Sequence, residues 1–237
     1  SMVRFTVQPR VVIIDRLKAG IDAVDSKNMK TNTNFENTVV DNDLRKYVAG
    51  DNRKLIHWKN SAKKKELLTR KYIDEEMFEA VILLDTRSLG RDDSRIAFED
   101  KIIETGLAIA HNYTVNNVTI NIVYENNRIN IKQISNMPHF HEYLDLSATM
   151  KFNGEKSVGY MLEEYAGFVE EMVHYMIITC RVDEELINSA MKSVARGNKV
   201  TVIYIEEFLW EEAKNIPAEL DVIRIPRDED IVKILSA

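Results

Sequence analysis

The sequence predicts an α/β protein: a doubly wound, mostly parallel sheet with an antiparallel edge hairpin, preceded by a small β-rich segment. Three observations predict it. Phe78-Glu79-Ala80-Val81-Ile82-Leu83-Leu84 is a near-continuous apolar run ending at Asp85, the pattern of a strand buried on both faces. From residue 78 onward, strand-like and helix-like stretches alternate, as parallel βαβ connections require. Val118, Ile120 and Ile122 alternate with Thr119 and Asn121, and Asn126-Asn127 precedes Ile129 and Ile131. That reads as a hairpin with one solvated face, placed at a sheet edge.

Taken in order, Phe5-Thr6-Val7-Gln8 and Val11-Val12-Ile13-Ile14 read as short strands around Pro9. Residues 25–43 are rich in Asp, Asn, Thr and Lys with little periodicity, a long exposed connection. A basic segment leads into the buried strand at 78–84. Asp92-Asp93-Ser94 is capping chemistry for a helix with Ile96, Ile103, Leu107 and Ala110 on its apolar stripe. After the hairpin, residues 158–170 predict a second helix with Met161, Leu162, Tyr165 and Phe168 on its apolar side. Val173 to Cys180 is the next buried strand. Asp183 can cap the helix carrying Leu186, Ile187, Ala190, Met191 and Val194, and Gly197 supplies its stop. Strands at Val200–Ile205 and Val222–Ile225 and a short helix at 206–214 complete the pattern. The expected division is 1–77, a β-rich segment with a long loop and a basic motif, and 78–237, the α/β domain.

With 237 residues, 45% apolar and 30% charged, the chain can bury a sizeable core. Cys180 is its single cysteine. It cannot form an internal disulfide and reads as a small buried hydrophobe. No stretch approaches the ~18 apolar residues of a membrane helix. Ser1-Met2 reads as a tag remnant, which makes this an excised soluble part of a longer protein. The net charge of −6 hides an asymmetry: residues 45–71 hold ten basic residues against Asp51 and Glu66, a net of +8, so the remainder carries −14. Such polarity belongs to a working surface or to a charge contact between two parts of one protein.

The most informative stretch is Arg45-Lys46-Tyr47-Val48-Ala49-Gly50-Asp51-Asn52-Arg53-Lys54-Leu55-Ile56-His57-Trp58-Lys59-Asn60-Ser61-Ala62. With Leu67 to Tyr72 and the strand ending at Asp85 after it, it resembles the signature of the bacterial domain-of-unknown-function 58 family. Val7-Gln8-Pro9 is similar to the strand-and-proline element that precedes this signature. The resemblance implies a von Willebrand factor A-like (Rossmann-like) domain after the signature and often two membrane helices before it. It also implies association with MoxR-type AAA ATPases, and no enzymatic activity is established for such relatives. Arg45, Tyr47, Gly50, Asp51, Arg53, His57, Trp58, Lys59 and Ser61 are the signature positions. Gly50-Asp51 is turn chemistry in which Asp51 can hold Arg53, and Trp58 can anchor the segment. His57 reads as structural before it reads as a switch or ligand. The motif as a whole either docks the N-terminal strands or binds a partner.

The same resemblance implies a divalent-cation site at the first strand end, where von Willebrand A-like domains carry D-x-S-x-S. Here the residues are Asp85-Thr86-Arg87-Ser88-Leu89, with Arg87 and Leu89 at the serine positions. Mg or Ca held by Asp85, Thr86 or Ser88 is one reading. The other is that Asp85 caps the strand end or pairs with Arg87 and the chain needs no cofactor. His139-Phe140-His141 with Glu142 is a weak zinc candidate beside the reading of a solvated loop. No nucleophile elbow, phosphate-cradling glycine loop or H-E-x-x-H is present.

The expectation is a non-enzymatic interaction or scaffolding module on the cytoplasmic face of a bacterial membrane, engaging a protein partner such as a MoxR-type AAA ATPase. Its contact loops are Asp85, Arg87 and Ser88 with Arg181 and Asp183, because open α/β sheets place sites at the carboxyl ends of their strands. Two alternatives stand beside it. One is a cation-dependent adhesion-type domain. The other is an anion-binding module, for nucleic acid or lipid headgroups, built on residues 45–71 with Tyr47 and Trp58 for stacking.

Overall fold

A computed structural model of the protein describes residues 8–18, 20–22, 44–46, 61, 63–64, 66–70, 79–88, 94–169, 172–206 and 216–237. The chain forms two compact units, residues 30–76 and residues 1–29 with 77–237.

In the smaller unit, strands β1 (Leu44–Lys46) and β2 (Leu68–Arg70) pair antiparallel, with Arg45 opposite Thr69. Ser61 is buried beside them. Its hydroxyl accepts from the Leu68 amide at 2.9 Å and donates to the Leu68 carbonyl at 3.3 Å, fixing the chain as it enters β2.

The larger unit is the expected α/β domain. Its elements are β3 (Glu79–Leu84), α1 (Ser94–Val115), β4 (Ile120–Asn126), β5 (Arg128–Ile134), α2 (Met137–Ser147) and α3 (Val158–Ala166). They continue with β6 (Val173–Thr179), α4 (Glu184–Ala195), β7 (Lys199–Glu206), β8 (Asp221–Pro226) and α5 (Ile231–Leu235). The sheet order is β5-β4-β3-β6-β7-β8, parallel throughout except for β5. This is a doubly wound order whose connections reverse between β3 and β6. Asn127, at φ +59°, turns β4 into β5, a left-handed position that asparagine tolerates.

Alternation along β3 divides the core. Ala80, Ile82 and Leu84 face a cluster with Ile102, Leu107, Tyr113 and Tyr143, whereas Val81 and Leu83 face Val158, Met161, Leu162, Leu186 and Ala190. All seven residues of β6 are buried. Gly159 lets α3 meet α4 closely, since a Cβ there would lie 2.9 Å from the Leu186 backbone.

Several expectations require correction. Val11 to Ile14 forms no ladder; Val12 and Ile14 are buried and Ile13 is 67% exposed, but the Asn112 side-chain amide takes the Ile14 carbonyl at 3.0 Å. The chain nonetheless joins the core through Leu17 and Ile21. Leu17 bridges Ser236, with Lys18 N donating to Leu235 O and Ala237 N to Arg16 O. Ile96 and Phe168 are exposed, because α1 begins on the solvent side and α3 ends at Ala166, before Phe168. The His139–His141 stretch is helical rather than a loop: Asn136 caps α2 through the His139 amide, and two residues apart on a helix the imidazoles diverge. Cys180 is buried in the core. Residues 5–7 of the expected first strand, the connection at 25–43 and residues 207–214 of the helix expected at 206–214 lie outside the described residues; Glu206 itself ends β7.

Candidate functional site

The carboxyl ends of β3 and β6 lie side by side where the sheet connections reverse, the usual place for a site in such a fold. Asp85 N donates to Ile178 O at 3.0 Å, carrying the pairing one residue past β3. The Asp85 side chain, 3% exposed, therefore points into the crevice between the two strand ends.

Arg87 fills that crevice. Its Nε donates to Asp85 Oδ1 at 2.9 Å and its Nη2 to Asp85 Oδ2 at 2.8 Å, a two-pronged pairing. Nη1 donates to Asp183 Oδ2 at 3.0 Å. One guanidinium thus ties the loop after β3 to the loop after β6, and only 14% of its side chain is exposed. The hydrogen bonds that Arg87 donates to Asp85 drive its pKa further above its ordinary range, burial opposes them, and Asp183 adds to the rise. Asp183 also caps α4, its Oδ1 accepting from Leu186 N at 2.9 Å.

Three residues that sequence reasoning did not single out complete the arrangement. The Thr179 hydroxyl donates to Asp85 Oδ2 at 2.7 Å and accepts from Arg181 N at 2.9 Å. Buried Glu125 exchanges backbone bonds with the Thr86 hydroxyl at 2.8 and 3.2 Å, and its Oε2 accepts from Lys156 N at 2.7 Å. Gly154 N donates to Thr86 O at 2.9 Å; a Cβ there would come within 2.9 Å of Glu125 Oε2 and 3.2 Å of Thr86 O, so any side chain at 154 would displace the Glu125 carboxylate or lift the loop off the strand ends. At the exposed rim Arg181 Nη2 donates to Ser88 O at 2.8 Å.

The structure therefore brings together Asp85, Thr86, Arg87, Ser88, Arg181 and Asp183. Of the signature positions it describes Ser61 and the backbone of Arg45; Tyr47, Gly50, Asp51, Arg53, His57, Trp58 and Lys59 lie outside the described residues.

A hard divalent cation needs six or more oxygen ligands, and these residues do not fit one. Both Asp85 oxygens accept from Arg87, the Thr86 hydroxyl is committed to the Glu125 backbone, and Asp183 serves Arg87 and the α4 cap. Among the described residues no group of three or more His, Cys, Asp or Glu side chains is placed to hold a metal ion. Nor is any described helix long and apolar enough to cross a membrane.

No curated protein matches the chain. Among solved structures, the chain is similar to the conserved hypothetical protein BatB from Bacteroides thetaiotaomicron at 10% identity, covering 66% of this chain and 94% of that one, with a TM-score of 0.44. It is also similar to an aerotolerance-related membrane protein from Bacteroides fragilis NCTC 9343 at 13% identity, covering 59% and 76%, with a TM-score of 0.41. Residues 43–140, which span the basic signature and the β3 strand end, match the model of the family described as Protein of unknown function DUF58.

Proposed function

We propose that this chain is a non-enzymatic protein-interaction module, the soluble part of a membrane-anchored protein that works with a MoxR-type AAA ATPase. It meets its partner with the rim formed by Ser88 and Arg181 and the loops that carry them. The observation supporting this reading is the Asp85–Arg87–Asp183 network that fills the crevice at the reversal point. A crevice plugged by the chain's own guanidinium offers a small substrate little room. The same network fixes two loops from different strands into one surface before any partner arrives, which lowers the ordering cost of association. The ATPase and the membrane tether come from the family resemblance, the contact surface from the geometry.

The test is binding of the purified chain to a MoxR-type AAA ATPase, by surface plasmon resonance at moderate salt. Arg181→Glu reverses a rim charge without touching Asp85 or Asp183, and it is expected to weaken binding by at least about tenfold, roughly 1.4 kcal/mol. Unchanged affinity in both Arg181→Glu and Ser88→Glu would move the contact surface elsewhere, and no binding by the unaltered chain would remove the ATPase as the partner.

A further inference from the structure

The carboxylates of Asp85 and Asp183 converge on one crevice from different strand ends, yet the cation between them is part of the chain. We infer that Arg87 is the built-in cation of this site, holding the two strand ends in register without any divalent ion. The inference concerns how the site is held together and stands whether or not the proposed partner is correct.

Two carboxylates converging on one crevice, Asp85 buried and Asp183 39% exposed, repel each other unless a positive group lies between them. Arg87 supplies it with three nitrogens, two on Asp85 and one on Asp183, within 2.8–3.0 Å. The guanidinium is planar and permanently charged, so little freedom is lost on forming the fork. Its backbone also takes part, since Arg87 N donates to Asp85 Oδ1 at 3.2 Å and the residue bridges Gly154. A cation attached to the chain two residues from its ligand does not dissociate, and its occupancy follows neither ion concentration nor chelation. Without Arg87, the oxygens of Asp85, Thr179 and Asp183 would be left with no positive group between them, and a hard divalent ion could take its place only with water completing its shell.

The experiment uses the full chain and two variants, Arg87→Ser and Arg87→Lys. Thermal unfolding is followed in EDTA and in rising Mn²⁺, Mg²⁺ and Ca²⁺, and Mn²⁺ uptake is read by electron paramagnetic resonance. The unaltered protein is expected to unfold at the same temperature in EDTA and in every ion and to take up no stoichiometric Mn²⁺. Arg87→Ser is expected to unfold earlier in EDTA and to gain a saturable rise, about 5–10 °C with ion at about 100 times its Kd. Adding Asp183→Asn should abolish that rise. A saturable response in the unaltered protein overturns the inference, as does a folded Arg87→Ser that ignores all three ions. Should Arg87→Ser fail to fold under any condition, Arg87→Lys decides. A folded, ion-blind lysine variant with a lowered midpoint supports the built-in cation; one that takes up Mn²⁺, matches the unaltered protein or also fails to fold sinks it.

Discussion

At the carboxyl ends of β3 and β6 the protein buries a network of charges; at the amino ends of β6 and β7 it buries an imidazole kept neutral. Asp85 accepts hydrogen bonds from the Arg87 guanidinium and the Thr179 hydroxyl. His174 is fully buried with its Nε2 3.1 Å from the Thr201 hydroxyl, which in turn donates to Gly20 O at 3.0 Å. Burial lowers the His174 pKa to about 3, and neighbouring Lys199 pushes the same way against the Gly20 backbone. The lesson is that one sheet tolerates polar groups by two routes, supplying the opposite charge or suppressing ionisation. Only the first leaves charged residues at a rim where another molecule can meet them.

The largest expected effect breaks the charged end. Asp85→Ala leaves Arg87 without its two-pronged acceptor and should lower unfolding stability by about 3–5 kcal/mol in a denaturant titration. A loss below about 1 kcal/mol would mean the network is ornamental, with solvent satisfying Arg87. The neutral end gives the next effect, through pH. The unfolded chain protonates His174 near pH 6.5 while the folded chain resists down to about pH 3. Stability from this residue is therefore complete above about pH 6.5 and is lost progressively as pH falls towards 3, by a few kcal/mol in all. His174→Gln should flatten this part of the stability–pH curve; an identical slope in both proteins would show the imidazole is not kept neutral. The smallest effects sharpen the contrast between the two hydroxyls. Thr179→Val removes a donor from a buried carboxylate paired with Arg87 and should cost about 1.5–3 kcal/mol, whereas Thr201→Val, beside a neutral ring and a carbonyl, should cost about 0.5–1.5 kcal/mol. Equal losses would erase the distinction between the two ends.

Much of the fold was legible because burial writes itself into local pattern. The run ending at Asp85 and the Asp183 cap with the Gly197 stop depend on neighbours a few residues away, and the structure has them, with Gly197 at φ +92°. The β4–β5 hairpin was legible from its paired asparagines, but the solvated face expected of it belongs to β5 alone: Ile120 to Glu125 of β4 are all buried, and Asn121 donates to the Tyr165 hydroxyl inside the domain. The α2 helix was hidden by Pro138, although proline belongs in a first turn and Phe140, Tyr143, Leu144 and Ser147 carry helical spacing. At Val11–Ile14 the alternation was real but the partner was a side-chain amide from α1. The site was only half legible. Asp85 and Arg87 are two residues apart, so their pairing was an available reading. That one guanidinium also reaches Asp183, 96 residues away, follows only from the parallel register of β3 with β6. Thr179 sat inside an apolar run; a lone hydroxyl at the carboxyl end of a buried strand next to the reversal point was its only signal.

The bridge between Leu17 and Ser236 carries a consequence for how the molecule is made. Residues 16–18 find their backbone partners in Leu235 to Ala237, more than 200 positions downstream. During synthesis residues 16–18 must therefore wait, with Leu17 and Ile21 unburied, until Leu235 to Ala237 have left the ribosome. Contacts so distant in sequence form slowly, and the apolar side chains that await them are exposed in the meantime. A holding chaperone would find its target at this stage in residues 16–18, whose partners are made more than 200 positions later.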